Sequence, residues 1–190
     1  MIESDSNQLS LKLIFLGNQN VGKSSILSRF VQDKFEENYN ATIGLDYHSK
    51  QLIVDKQNIR LVLYDTAGQE KFKSLLKLYI RDSNIVIVVY DITNRESFTN
   101  LDYWLEEIKE LNKDKLIIAI VGNKLDKEGE RVVKTQEGEK YASDNNYLFH
   151  EISAKSSEGL NDFFYMKLQE KIGRIFLHRA DEQNEIINNK

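Results

Sequence analysis

Between an apolar run and a helix-forming run the chain reads Gly17-Asn18-Gln19-Asn20-Val21-Gly22-Lys23-Ser24-Ser25. Two glycines with four residues between them, then lysine and serine, are the types a chain needs to wrap a polyanion. Glycine lets successive backbone N–H groups turn toward phosphate oxygens, at the positive end of the helix that follows. Gly17, Asn20, Val21, Gly22, Lys23, Ser24 and Ser25 are therefore candidates for phosphate contact. The Lys23 ammonium can reach the terminal phosphates, as a catalytic charge, and the Ser24 hydroxyl can ligate Mg²⁺. With glycine near ~7% of residues, a chance match to this pattern is on the order of 1% in such a chain. The motif leaves both the base and the reaction open.

Two later stretches narrow them. In "LYDTAGQE" (Leu63–Glu70), Asp65 closes an apolar run and is placed to hold Mg²⁺ through water. Gly68 offers an N–H that approaches a γ-phosphate with no side chain in the way. Gln69 can orient a water for in-line attack, although its amide is too weak a base to take the proton. In "GNKLD" (Gly122–Asp126), Asp126 can accept both the ring N–H and the exocyclic amine of guanine. Adenine presents neither group, and a site built this way can discriminate by roughly 10⁴–10⁵. Asn123 braces the loop, and the stem of Lys124 covers one face of the base. "SAK" (Ser153–Lys155) is a weaker signal. The order of the pieces, each after a strand, points to guanine.

These residues must be positioned by elements, and the apolar pattern supplies them. Leu9–Gly17 reads as a strand and Gly22–Gln32 as a helix. Tyr47–Asp55 and Ile59–Asp65 read as strands joined by Lys56-Gln57-Asn58, a hairpin-sized connection. Ile85–Asp91 and Leu116–Asn123 are continuously apolar, as strands covered on both faces are. Arg95–Leu111 spaces Phe98, Leu101, Leu105 and Ile108 as a helix does. Thr135–Asn145 reads as a helix, Tyr147–Ser153 as a short strand and Leu160–Arg179 as a last amphipathic helix. The alternation predicts an α/β fold with a mainly parallel, doubly wound sheet, one antiparallel edge strand and helices on both faces. In such sheets ligands lie beyond the carboxyl ends of the strands, where Gly17, Asp65, Asn123 and Ser153 all fall.

Composition narrows the classes further. The 190 residues suffice for one well-cored domain, and the net charge of −4 provides no basic field for nucleic acid. No cysteine is present, which excludes disulfides, thiolate metal sites and, for the chain as written, lipidation at cysteine. No apolar run approaches the roughly 18 residues of a membrane span, and the N-terminus has no signal core. These features predict a soluble, intracellular, acidic domain. His48, His150 and His178 have neither metal nor triad spacing, and Trp104 reads as a packing or half-exposed residue.

With all four motifs in place the chain resembles the Rab family of Ras-like small GTPases over about Leu9–Arg179. "ATIGLDY" (Ala41–Tyr47) looks like the Rab form of switch I, and "RLVLYDTAGQEKF" like switch II with its preceding strand. "SLLKLYIRDSNIVIVVYDITNRESF" (Ser74–Phe98) and "GNQNVGKSS" are most similar to the Golgi-associated subgroup six. The resemblance implies a P-loop NTPase fold of six strands, a G domain over 9–179, a flexible N-terminus over 1–8 and a polar tail over 180–190. It implies GTP or GDP and Mg²⁺ as ligands, slow GTP hydrolysis and a monomer that meets exchange factors, GTPase-activating proteins and effectors. Thr42 would close onto Mg²⁺ and the γ-phosphate. Phe35 would pack edge-on to guanine and Tyr39 would lie over the phosphates. Ala154 would give its N–H to the guanine carbonyl, with Lys155 across the base. Ile43, Tyr47, Tyr64 and Tyr79 would form the effector surface.

The departures are specific. Tyr47 and Tyr64 stand where Rabs usually carry Phe and Trp, which makes the effector patch more polar. Lys77 stands where subgroup six has proline. Rabs end in prenylated cysteines, so the tail is expected to be truncated, with the intact protein cycling from the cytoplasm to Golgi or related membranes in vesicle transport. No arginine is placed by motif to act in cis, so an activating partner is expected to supply one, for a gain of about 10³–10⁵.

Overall fold

The computed structural model describes residues 8–36, 45–66, 77, 79–109 and 116–174. Its order is β1 (Leu9–Leu16), α1 (Lys23–Gln32), β2 (Leu45–Val54), β3 (Gln57–Thr66), β4 (Ile85–Asp91), α2 (Arg95–Thr99), α3 (Leu101–Lys109), β5 (Ile117–Asn123), α4 (Thr135–Asp144) and β6 (Leu148–Glu151). A final helix, α5, runs over 160–174. The strands lie side by side as β2-β3-β1-β4-β5-β6. Every neighbouring pair is parallel except β2 with β3. This is the six-stranded, mostly parallel sheet with one antiparallel edge that the alternation predicts. The chain leaves β1 toward β2 and β3 on one side and takes up β4 on the other. The end of β1 is thus the topological switch point, where open parallel sheets bind ligands.

Alternation along the strands builds two cores. Leu11, Leu13 and Phe15 of β1 join Ile85, Ile87 and Val89 of β4 on one face, under α1 and α5. Ile14 and Leu16 join Val86, Val88 and Tyr90 on the other face, under α3 and α4. Every residue of β4 is buried, so its unbroken apolar run is what a strand covered on both faces requires.

Two local readings are corrected and two elements are added. The β2–β3 hairpin turns at Asp55-Lys56, not over Lys56–Asn58. Both turn residues have positive φ, 49° and 66°, as the two-residue turn that suits strand twist demands. The helix expected over Arg95–Leu111 is divided at Asn100, where ψ reaches 0°, into α2 and α3. Its last two residues lie outside the described ones. The segment Leu125–Glu130, to which the sequence reading assigned no element, forms a 3₁₀ turn. The centre of α5, Asp162–Leu168, is π-helical. Its widened turns let the neighbours Phe163 and Phe164 both reach full burial, with Phe164 stacked on Phe30 of α1 at 3.8 Å between ring centroids.

Candidate functional site

The phosphate-loop candidates curl from β1 into α1. Gly17 has φ 131°, and a Cβ there would lie 2.2 Å from the Val89 carbonyl oxygen of β4. Gly22 has φ 97°, and its Cβ would meet Asn123 Nδ2 at 2.2 Å. Sterics at both positions therefore demand glycine. Asn20 also adopts positive φ and is exposed, whereas Val21 is buried beneath the loop. Lys23, only 5% exposed, folds back so that its ammonium donates to the carbonyls of Gly17 at 2.9 Å and Asn18 at 2.8 Å. Burial lowers its pKa to about 8, against the opposite pull of Asp65.

Beside it, the Ser24 hydroxyl donates to Asp65 Oδ2 at 2.5 Å, which brings the ends of β1 and β3 together. Thr66 secures that junction by donating to the Phe15 carbonyl at 2.7 Å. A serine hydroxyl next to a carboxylate, both hard oxygens, is a donor set that fits Mg²⁺, which completes its shell with waters and substrate phosphates. Among the described residues no group of three or more His, Cys, Asp or Glu could hold a metal by itself. Ser25, the next residue in the first turn of α1, is half-buried.

The second part of the site is built from the ends of β5 and β6. Asn123, 2% exposed, donates from Nδ2 to the Val21 carbonyl at 2.8 Å, and its Oδ1 accepts from Ala154 N–H at 3.1 Å. One side chain thus fastens the phosphate loop to the turn after β6. Asp126 is exposed, and its Oδ1 accepts from the buried Ser153 hydroxyl at 2.5 Å, leaving the carboxylate anchored at one oxygen. Leu125 N–H donates to Ile152 O at 3.1 Å, which ties the two loops by backbone as well. Lys124 takes φ 72° and extends to Asp91 Oδ2 at 2.6 Å. Lys155 is exposed, and Phe35 is half-buried against the α1-side core.

Several residues in these contacts escape a reading of the sequence. Asp91 ends β4 much as Asp65 stands next to the end of β3, and that strand-end position was the one signal that could have singled it out. It accepts from Lys124 and from the Thr93 N–H and hydroxyl. Trp104 is 6% exposed and donates from Nε1 to Asn18 Oδ1 at 2.9 Å, so it buttresses the phosphate loop besides filling space. Arg29 of α1 donates to the carbonyls of Ala154 and Lys155, partners more than a hundred positions away with no local signal between them.

The aromatic surface is also assembled by register. Tyr47 of β2 lies directly opposite Tyr64 of β3, and the Tyr64 ring packs on Tyr79 at 5.4 Å between centroids. Tyr47 is 67% exposed. Lys77 pairs with Glu107 of α3 at 3.6 Å. Tyr39, Thr42, Ile43, Gly68 and Gln69 lie outside the described residues, as do His178 and the expected tail. Among the described residues no helix is long and apolar enough to cross a membrane.

A comparison with protein families adds one finding: the model of the family described as Ras matches residues 12–173.

Proposed function

This chain belongs to the Ras family, whose members are guanine-nucleotide switches, and on that premise we propose that it is a GTP-hydrolysing switch of the Rab type. The observation that carries the reading is the Asn123 bridge. It joins the Val21 carbonyl of the phosphate loop to the Ala154 N–H, with Asp126 exposed at the rim. Groups suited to phosphates and groups suited to guanine thereby form one cradle. Asp126 would accept the two guanine N–H groups, and the turn at Ala154 would meet the base carbonyl. Phe35, Lys124 and Lys155 would flank the ring.

Lys23 and the loop N–H groups would bear the charge on the transferring phosphoryl group, with Gln69 aligning the attacking water. Mg²⁺, when bound, neutralises phosphate charge; Ser24, Asp65 and Thr42 are the residues that would hold it. Thr42 and Gly68 would also sense the γ-phosphate, so that the switch segments order with GTP and relax after hydrolysis. The decisive experiment identifies the nucleotide released on acid denaturation of the purified protein. GDP or GTP is expected; ADP or ATP alone would refute the guanine reading.

The Rab assignment rests on "IGLDY" and on the Tyr47, Tyr64 and Tyr79 patch, which the resemblance would make an effector surface. Traffic at Golgi or related membranes follows from the likeness to subgroup six. Binding to the Rab prenylation escort protein is expected. Its absence, beside intact nucleotide exchange, would move the protein to another branch of the family.

A further inference from the structure

We propose that Arg29 is a positioning residue for base recognition, holding the Ala154–Lys155 turn against the phosphate-binding helix so that the Lys155 N–H, rather than the Ala154 N–H that Asn123 takes, meets the guanine carbonyl. This rests on the guanine reading above. The Arg29 side chain is 17% exposed, and each of its three guanidinium nitrogens donates a hydrogen bond. Nε donates to Ala154 O at 3.0 Å and Nη2 to Lys155 O at 3.1 Å. Nη1 donates to Asp33 O and Asp33 Oδ1, both at 3.0 Å, which orients the fork from the end of α1.

Two consequences follow from that geometry. Lys23 and Arg29 lie six residues apart on one rigid helix, about 9 Å along its axis, so the phosphate and base ends of the cradle share one ruler. The peptide between Ala154 and Lys155 also has its carbonyl on a cation, and polarising the carbonyl strengthens the N–H at the other end of the same peptide as a donor. Asn123 holds the front of the turn through Ala154 N–H, and Arg29 holds its back through the carbonyls. A lysine at position 29 supplies charge at one point only, and a methionine fills the space without either bond.

The test compares release of GDP, inosine diphosphate and 6-thioguanosine diphosphate from the full chain, as wild type, Arg29→Lys and Arg29→Met. Inosine keeps the carbonyl and lacks the amine that Asp126 would accept. Thioguanine keeps the amine and replaces the carbonyl oxygen by sulfur, a weak acceptor. Arg29→Met is expected to release GDP and inosine diphosphate roughly tenfold faster than wild type, and the thio analogue no more than about threefold faster. Arg29→Lys should fall between, and carries the same ratio test if the methionine variant does not fold. Equal acceleration for all three nucleotides would overturn the inference, since a general loosening of the fold does not distinguish oxygen from sulfur. A wild type that holds ADP as tightly as GDP would overturn the guanine reading, and this inference with it.

Discussion

Replacing Lys23 by arginine should abolish a proton uptake that accompanies nucleotide binding to the wild-type chain. Without nucleotide, burial lowers the Lys23 pKa to about 8, with Asp65 pulling the other way. Phosphate oxygens at Nζ favour the charged form and raise the pKa again, so binding draws in a proton wherever the free chain is partly deprotonated. With a free-state value of about 8, the uptake is about 0.1 proton at pH 7, about 0.5 at pH 8 and about 0.75 at pH 8.5. The same linkage weakens affinity about fourfold between pH 7 and pH 8.5. Arginine stays charged throughout and takes up none. Calorimetry of GDP binding in two buffers of different ionisation enthalpy counts the protons even where binding is too tight to titrate. Equal uptake by the two proteins at pH 8.5 would refute the reasoning. The sign for folding is opposite to that of a stabilising ion pair. The folded pKa lies below the unfolded 10.5, so the buried charge opposes folding by about 3 kcal/mol below pH 8. That penalty is relieved as pH rises from about 8 toward 10.5.

Other residues give further tests. The chain has a single tryptophan, Trp104, bonded to Asn18 of the phosphate loop, so its emission should change when nucleotide is stripped. Asn18→Leu should alter the emission of the stripped protein, and unchanged spectra in both experiments would remove Trp104 from the site. Gly22→Ala must accept φ 97° and push Asn123 off the Val21 carbonyl, with a loss of about 1–3 kcal/mol read as a lower Tm together with faster nucleotide release. Arg131 and Glu151, with side chains 13% and 8% exposed, make a two-bonded pair at 2.7 and 2.8 Å. Arg131→Met leaves the carboxylate buried and should cost about 3 kcal/mol in urea unfolding, whereas adding Glu151→Leu should restore most of it. A double variant no better than the single would show that the pair itself is not the source.

By itself the sequence determined what depends on local chemistry. The phosphate loop is legible because φ requirements at Gly17 and Gly22, the lysine and the serine lie within eight consecutive residues. The strands are legible because burial on two faces forces unbroken apolar runs such as Ile85–Asp91. Turn placement was less so: the positive φ at Asp55 and Lys56 follows from strand twist, and although aspartate favours turns, lysine at the second position does not announce it. What the tertiary structure decided is every contact whose partners meet only after the sheet assembles. Asn123 reaches Val21 across 102 positions, Trp104 reaches Asn18 across 86, and Arg29 reaches Ala154 across 125. Tyr47 faces Tyr64 by hairpin register alone. A side chain's type states what it can bond, but only the packed sheet sets which atoms come within 3 Å of it, so the motifs were readable while the framework that aims them was not.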